Sequence, residues 1–508
     1  MCSIAGVYWF GGGKPNNSEM TKMVNGALQI LQRRGPDESS VFAPSRDCVV
    51  GGNRLIIRGG LGRGSMPFKH GNDALYYNGE IYNYSKWNEK VASDGEVLLP
   101  LYNQDKYRAF NQLDGEFAIA MWDDKDKSIV LVRDQFGTKP LYFSLNDKRL
   151  LYASSASAIN HMERHGFCRS VKGPAYQHAY AVQEPYTSYK GIWQVPPGHI
   201  LVVNKNEARL WCYNQWSEYV GNSQDTEECF KALKHSLETR MDYPETIGIP
   251  MSAGVDSGII SFTAEKLKKR YHIFSLIEIF GQRTDEADDI ERRISKLKNH
   301  SGVTLIKFGE AQYQKALEDI FQSDYYDSEK FDNGNLLMHA VFDAMKKEKI
   351  KVVIDGSGGD ELFHGYKFHE DFKPVAEWPK LWKKTHYFYS LFTTLLDYTS
   401  KSDRAGAHFS MEARYPFQNV ALMKAALKLK TSDLLKWPLR EYLINEVNYG
   451  IPTEADLRGK FGFSIKNKDK GDMIEDMKHA WCEAHGLKEL PESSPLKFPF
   501  KIGQLYKS

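Results

Sequence analysis

Residues 246–269 read TIGIPMSAGVDSGIISFTAEKLKK. TIGIPM is a short apolar run, SAGVDSG is small and turn-forming, and IISFTAEKLKK carries apolar side chains at helical spacing. Strand, loop and helix in that order open a parallel sheet with crossover helices. YHIFSLIEIF (271–280), VTLIKF (303–308) and KVVID (351–355) follow as further strands, with helical stretches expected at about 286–299, 310–321 and 334–347. The reading is an α/β, doubly wound parallel sheet, in which ligands bind at the carboxyl ends of the strands. SAGVDSG (252–258) and DGSGGDE (355–361) both fall at such ends. Beyond about residue 365 the pattern is largely helical, broken by prolines at 374, 379, 416, 438 and 452.

Upstream, YNQWSEYVGNSQDTEE (213–228) is polar and turn-rich and reads as a linker. Before it the rhythm is different: VVGGNRLII, DALYYNGEIYN, EFAIAMWD, SIVLVRD and GHILVVN are short strands at close spacing. Helices are expected only near 18–33 and 94–104. The chain therefore divides into an α+β domain at 1–213 and an α/β domain at 223–508.

A length of 508 residues suits about three domains or two large ones. Lys+Arg exceeds Asp+Glu by only two, which disfavours a nucleic-acid partner held by bulk charge. Apolar runs are far shorter than the roughly 20 residues of a membrane span, and MCSIAGVYWFGGG lacks the basic and long apolar regions of a secretion signal. A cytoplasmic location is the expectation. Cys2, Cys48, Cys168, Cys212, Cys229 and Cys482 form no CxxC pair, so no disulfide framework or zinc knuckle is indicated. The HMERH string at 161–165 lacks the glutamate that follows the first histidine of a zinc-protease helix.

Cys2 differs from the other cysteines. Loss of the initiator methionine would place its thiol beside a free α-amine, whose pKa of about 7.7–8.0 suits it as a base for a thiol of pKa about 8.5. MCSIAGV, RRGPD (33–37), GNRLII (52–57), NGEIYNY (78–84), SDGE (93–96), LDGEFAIAMWD (113–123) and RDQFGTKPLYF (133–143) keep company with it in one order. This set resembles the glutaminase domain of class II, N-terminal-nucleophile amidotransferases, which implies a four-layer αββα sandwich. The resemblance makes Cys2 the nucleophile on the glutamine amide, Asn78 and the Gly79 N–H the oxyanion hole, Arg54 the grip on the glutamine carboxylate, and Glu80 and Asp94 acceptors for its α-ammonium.

SAGVDSG lacks the GK[ST] of a Walker A loop. It resembles the SGGxDSS PP-loop of ATP pyrophosphatases, with Ala253 in place of a glycine and Gly258 in place of a serine. DGSGGDELFHGY (355–366), MEARYPF (411–417), KWPLREYL (436–443) and RGKFGFSI (458–465) resemble motifs of the glutamine-hydrolysing, B-type asparagine synthetases, and the likeness runs from Cys2 to about 466. It implies ATP bound by Met251, Ser252, Ala253, Gly254, Asp256, Ser257, Leu276, Asp355 and Gly356, and Mg²⁺ held by Asp256 and Asp360 beside Glu361. Lys460 would stabilise the pyrophosphate leaving group with help from Arg458, and Arg440 would be a structural ion-pairing residue.

The activity implied is glutamine-dependent amide synthesis: ammonia released at Cys2 travels along an apolar-lined interior route to an acyl-adenylate, most simply converting aspartate to asparagine. The expected partners are glutamine, ATP and aspartate, with a homodimer possible and no membrane or nucleic acid. The family motif carries an acid where Ser357 stands and a serine where Asp355 stands. Three other readings therefore stay open. These are amidation of another carboxylate, a degenerate protein that binds glutamine or nucleotide, and a tRNA-modifying PP-loop enzyme. Asp355 could restore the missing carboxylate from its neighbouring position.

Overall fold

The computed structural model describes residues 1–163, 185, 187, 189–214, 216–221, 223–321, 333–365, 395–429 and 436–447. The first domain supplies β1 (Ser3–Trp9), α1 (Asn17–Ile30), β2 (Glu38–Ser45), β3 (Cys48–Arg54), β4 (Phe68–His70), β5 (Asp73–Ile81), α2 (Leu98–Asp105), β6 (Gly115–Asp123), β7 (Ser128–Arg133), β8 (Tyr142–Leu145), β9 (Arg149–Ala153), α3 (Ala156–Met162), β10 (Trp193–Gln194), β11 (His199–Val203) and β12 (Ala208–Cys212). Its strands form two antiparallel sheets, ordered β10-β8-β9-β1-β3-β2 and β12-β11-β7-β6-β5-β4.

The two-residue period of β1 sorts its side chains between layers. Ile4 and Tyr8 join the core that contains Leu75, Phe117 and Ile119 of the other sheet. Ala5 and Val7 face the opposite way and pack with Met20, Val24 and Ala27 of α1. That helix starts where Asn16 and Glu19 form a reciprocal capping box, which satisfies two backbone donors that the first turn leaves over. Helices outside two facing sheets agree with the sandwich expected.

The second domain contains α4 (Glu227–Arg240), β13 (Ile247–Pro250), α5 (Val255–Lys266), β14 (Tyr271–Ile279), β15 (Gln282–Arg283), α6 (Ala287–Ile294), β16 (Gly302–Phe308), α7 (Glu310–Phe321), α8 (Asn333–Lys347), β17 (Val352–Ile354), α9 (Gly359–Phe363), α10 (Leu396–His408), β18 (Glu412–Arg414), α11 (Val420–Lys428) and α12 (Trp437–Asn445). β16, β14, β13, β17 and β18 lie side by side and parallel, with β15 a short antiparallel addition to β14. The helical reading beyond residue 365 missed β18. Three residues are too few to display a strand period, and only pairing with β17 defines them.

The linker also differs from a free connection. Trp216 is buried, with its ring centroid 5.5 Å from that of Phe136. The two domains share one apolar cluster in which Val24 and Leu28 of α1 belong with Phe342 and Met411. No helix among the described residues is long and apolar enough to cross a membrane.

Candidate active site

Cys2 leads into β1 and lines a cavity of about 370 Å³ together with Arg54, Gly79, Glu80 and Asp94, all named from the sequence. The thiol is half-buried, and its Sγ lies 4.0 Å from the Leu55 carbonyl oxygen. Burial pushes the thiol pKa up, while the terminal amine of Met1 opposes that shift. Met1 is itself buried, and desolvation brings its amine down to about 5.

Gly79 tolerates no side chain, because a Cβ would stand 1.9 Å from the Glu116 carbonyl oxygen of the paired strand β6. Beside it the Asn78 side-chain amide is fully buried, and neither its oxygen nor its nitrogen makes a hydrogen bond within the protein. An orphaned buried amide is costly to the fold. The Arg54 guanidinium donates to Glu38 Oε2 at 2.8 Å and to the Gly60 and Arg58 carbonyls. Asp94 accepts from the Ile81 N–H at 2.6 Å. Glu80 is raised to about 8, first by burial and next by the neighbouring Asp94, with Arg414 and Arg58 pulling the other way.

The second cluster forms where β13 and β17 end. Gly359 at the start of α9 packs so closely on the loop of 252–258 that a Cβ there would lie 2.4 Å from Asp256 Oδ1. Gly356 faces the same aspartate, where a Cβ would be 3.3 Å from the Asp256 Cβ. Asp256 and Asp360 are thereby brought together, and a residue not named as functional from the sequence joins them. The buried Lys436 places Nζ 2.7 Å from Asp256 Oδ2 and 2.6 Å from Asp360 Oδ1. The compensating cation here is an ammonium, whereas the sequence suggested Mg²⁺. The oxygen-only donor set suits a hard cation, so Asp256 and Asp360 would hold Mg²⁺ once Lys436 turned toward phosphate, and the ion would supply charge neutralisation there.

One of the two departures in the PP-loop, Gly258, has a local explanation; nothing in the structure explains Ala253. Arg293 of α6 donates to the carbonyls of Ser252, Ala253 and Gly254 at 2.7–2.8 Å. A Cβ at Gly258 would stand 3.2 Å from this guanidinium, so the glycine makes room for it. The Ala253 N–H donates to Glu286 Oε2 at 3.1 Å, Gly254 N–H to Ser252 Oγ, and Ser252 N–H to Ser257 Oγ. These donors are occupied by a carboxylate and by hydroxyls. Met251 and Leu276 are buried in apolar clusters nearby. Asp355 accepts from Ser357 through both N–H (2.8 Å) and hydroxyl (2.6 Å), and from the Ser402 hydroxyl at 2.8 Å. Its carboxylate does stand against Ser357, as the sequence suggested. His364 is buried beside this motif. Lys460, Arg458 and His369 lie outside the described residues.

Between the clusters, Arg34, Lys139, Glu116, Asp403, Glu412 and Arg414 are buried charges, each within 4.0 Å of an opposite one. This differs from the apolar lining expected of an interior route. Arg34 also donates to the Cys2 carbonyl at 2.9 Å, so the RRGPD motif fixes the nucleophile's backbone while its guanidinium grips Asp403 of α10. Only its fixed place beside Cys2 in the motif order could have signalled this role.

The fold and the cavity at Cys2 define a chain that joins a glutamine amidotransferase domain to an α/β domain with a parallel sheet. The family model described as Glutamine amidotransferase domain matches residues 1–216, and that described as Asparagine synthase matches 229–387 and 377–492. The chain belongs to the asparagine synthase family. It is 25% identical over 458 residues to asparagine synthetase B (glutamine-hydrolysing) of Escherichia coli K12, covering 85% of this chain and 76% of that one. A Methanocaldococcus jannaschii protein provisionally named a glutamine-hydrolysing asparagine synthetase is 26% identical over 489 residues, covering 87% and 83%. Amidase chry2 of Gibberella zeae is 25% identical over 396 residues, covering 71% of this chain and 58% of the amidase.

Proposed function

We propose that this chain is an ATP-dependent carbon–nitrogen ligase that uses glutamine as nitrogen donor. The carrying observation is the cavity of Cys2, whose lining includes a guanidinium, Arg54, and two carboxylates, Glu80 and Asp94. Such a cavity is complementary to an amino-acid zwitterion whose side chain reaches the thiol. With Met1 removed, the Cys2 α-amine takes the thiol proton. The thiolate attacks the glutamine amide carbon and Asn78 and the Gly79 N–H receive the oxyanion; the α-ammonium of Cys2 returns the proton to the departing nitrogen, the tetrahedral adduct collapses to a thioester and ammonia, and water then hydrolyses the thioester to glutamate.

In the second cluster Asp256, Asp360 and Lys436 surround the triphosphate, and the loop of 252–257 receives phosphate oxygens. An acid attacks the α-phosphorus, releasing pyrophosphate and giving an acyl-adenylate. Ammonia displaces AMP and gives up a proton, for which Asp355, held by the Ser357 hydroxyl, is the acceptor this reading assigns. Lys460 is assigned to the leaving pyrophosphate by its motif. Aspartate is the first acid to test, since the family relatives are named for asparagine synthesis.

A second reading, amidation of a different acid, is favoured by the exchange of hydroxyl and carboxylate at Ser357 and Asp355 and by the amidase-named relative. The deciding experiment measures AMP and pyrophosphate from ATP, Mg²⁺, glutamine and each of a panel of acids. A signal with aspartate supports the first reading. A signal only with another acid supports the second, and pyrophosphate from none removes both.

A further inference from the structure

Strand β18 has its two edges in different domains. Toward the synthetase sheet it pairs with β17, and the Arg414 carbonyl accepts from the Asp355 N–H at 2.9 Å, at the root of the acidic loop. Toward the glutaminase domain, Lys139 Nζ donates to the Ala413 carbonyl at 3.1 Å, and the Tyr415 N–H donates to Glu116 Oε1 at 2.8 Å. A strand gripped on both sides cannot shift without moving groups in both.

One side chain of this strand lines the Cys2 cavity, and a second meets Glu80, which lines it. Glu412 lines it directly. The fully buried Arg414 places Nη2 3.5 Å from Glu80 Oε2 and donates from Nε to Glu412 Oε1 at 2.8 Å. Its Nη1 also donates to the Arg240 carbonyl at 3.1 Å and lies 3.4 Å from that of Asp242. The other oxygen of Glu80 is held by Arg58 at 3.0 Å, from a side chain 28% exposed. The groups acting on Glu80 include Asp94 and the phenol of Tyr77 from its own domain, Arg58 from the loop after β3, and Glu412 and Arg414 from β18. With all three carboxyls ionised, three carboxylates against two guanidiniums leave one negative charge, which one ligand ammonium would neutralise. Without Arg414 the three acids would face a single cation, and at least one would take up a proton.

We propose that Arg414 is a positioning residue of the glutamine pocket, fixing Glu80 as the carboxylate that receives the ligand ammonium, so that glutamine affinity depends on how the acidic loop of 355–361 holds β18. The proposal rests on the reading of the cavity as a glutamine site. It makes the pocket a product of both domains: a nucleotide that shifts the loop alters the grip on Glu80 through one backbone hydrogen bond and one guanidinium.

The test uses the full chain and follows ammonia release from glutamine, with and without ATP and Mg²⁺, from pH 6 to 9. Arg414→Gln is expected to raise KM for glutamine about tenfold while kcat changes by less than about threefold, the split that marks lost ground-state binding. The pH at which affinity rises should move upward, and Arg414→Lys should recover part of both effects. In the unmutated chain ATP with Mg²⁺ should change the glutamine KM, and in Arg414→Gln it should not. Should Arg414→Gln fail to fold, Arg414→Lys is read by the same criteria. An unchanged KM and pH profile, or a loss confined to kcat, overturns the proposal, and a nucleotide-insensitive KM in the unmutated chain overturns its coupling. If the unmutated chain releases no ammonia through Cys2, the glutamine reading itself falls, an outcome distinct from an active enzyme indifferent to Arg414.

Discussion

Lys436 Nζ lies 2.7 Å from Asp256 Oδ2, so that a lysine ahead of α12 neutralises the acid of a loop 180 residues earlier in the chain. The same ammonium meets Asp360 at 2.6 Å. A shared buried cation holds the two nucleotide loops in register before any phosphate arrives. Lys436→Met should therefore leave two buried carboxylates in mutual repulsion and remove a phosphate partner. AMP formation with ammonium as nitrogen source is expected to fall by about 10²-fold or more, while glutamine hydrolysis persists. Parallel assays of AMP and glutamate check this.

Cys2→Ala removes the only thiol lining the cavity of about 370 Å³. It should abolish glutamine use yet leave amide synthesis from added ammonium, since the adenylate is made in the other domain. Product formation with each nitrogen source is the measurement, and loss of both would show that the sulfur also supports the second site.

Glutamine affinity should depend on pH through Glu80. Burial, and then Asp94, raise this carboxyl to about 8, so the ionised form that pairs best with an ammonium grows as pH rises toward that value. Below that value affinity should improve about tenfold per pH unit as pH rises, and it should level off above it. For folding the sign is reversed. A raised carboxyl contributes stability that is complete below its unfolded pKa and is lost as pH climbs through about 8. Calorimetric titration of glutamine into Cys2→Ala, where no turnover intervenes, checks the affinity, and Glu80→Gln should flatten the profile.

Arg34 and Asp403 form a bidentate pair across the domain boundary, each side chain 1% exposed. Burial alone would raise the Asp403 carboxyl, but Arg34 and then Lys139 outweigh it and hold it below the usual range. The depressed value means that this contribution to stability is present above about pH 4, the unfolded aspartate pKa, and disappears on further acidification. Arg34→Ala should cost about 3–5 kcal/mol by stranding a buried charge. Asp403→Ala should do likewise, and the double variant should cost less than their sum, as read from urea midpoints.

Much of this arrangement was legible in the residues. The glycine- and serine-rich loop after TIGIPM located the nucleotide end of the sheet, and the motifs around Cys2 named Arg54, Gly79, Glu80 and Asp94, which do line one cavity. Long-range partners left no such trace. Lys436 meets Asp256 only because the chain beyond residue 395 folds back over the sheet, and β18 is too short to have a period of its own. Arg414 read as part of a motif, but its contact with Glu80 is a property of domain packing. Gly258 looked like a lost serine until Arg293 was found against it.

The central claim is that nitrogen freed at Cys2 becomes the amide of an acid activated in the other domain. The most direct test supplies ¹⁵N-amide glutamine, ATP, Mg²⁺ and a panel of acids including aspartate, with unlabelled ammonium in excess, and analyses the products by mass spectrometry. The account predicts an amide that carries mainly ¹⁵N despite the unlabelled pool, formed with one AMP per product. An amide labelled only to the extent of the mixed pool, or glutamate formed without any amide product, would contradict it.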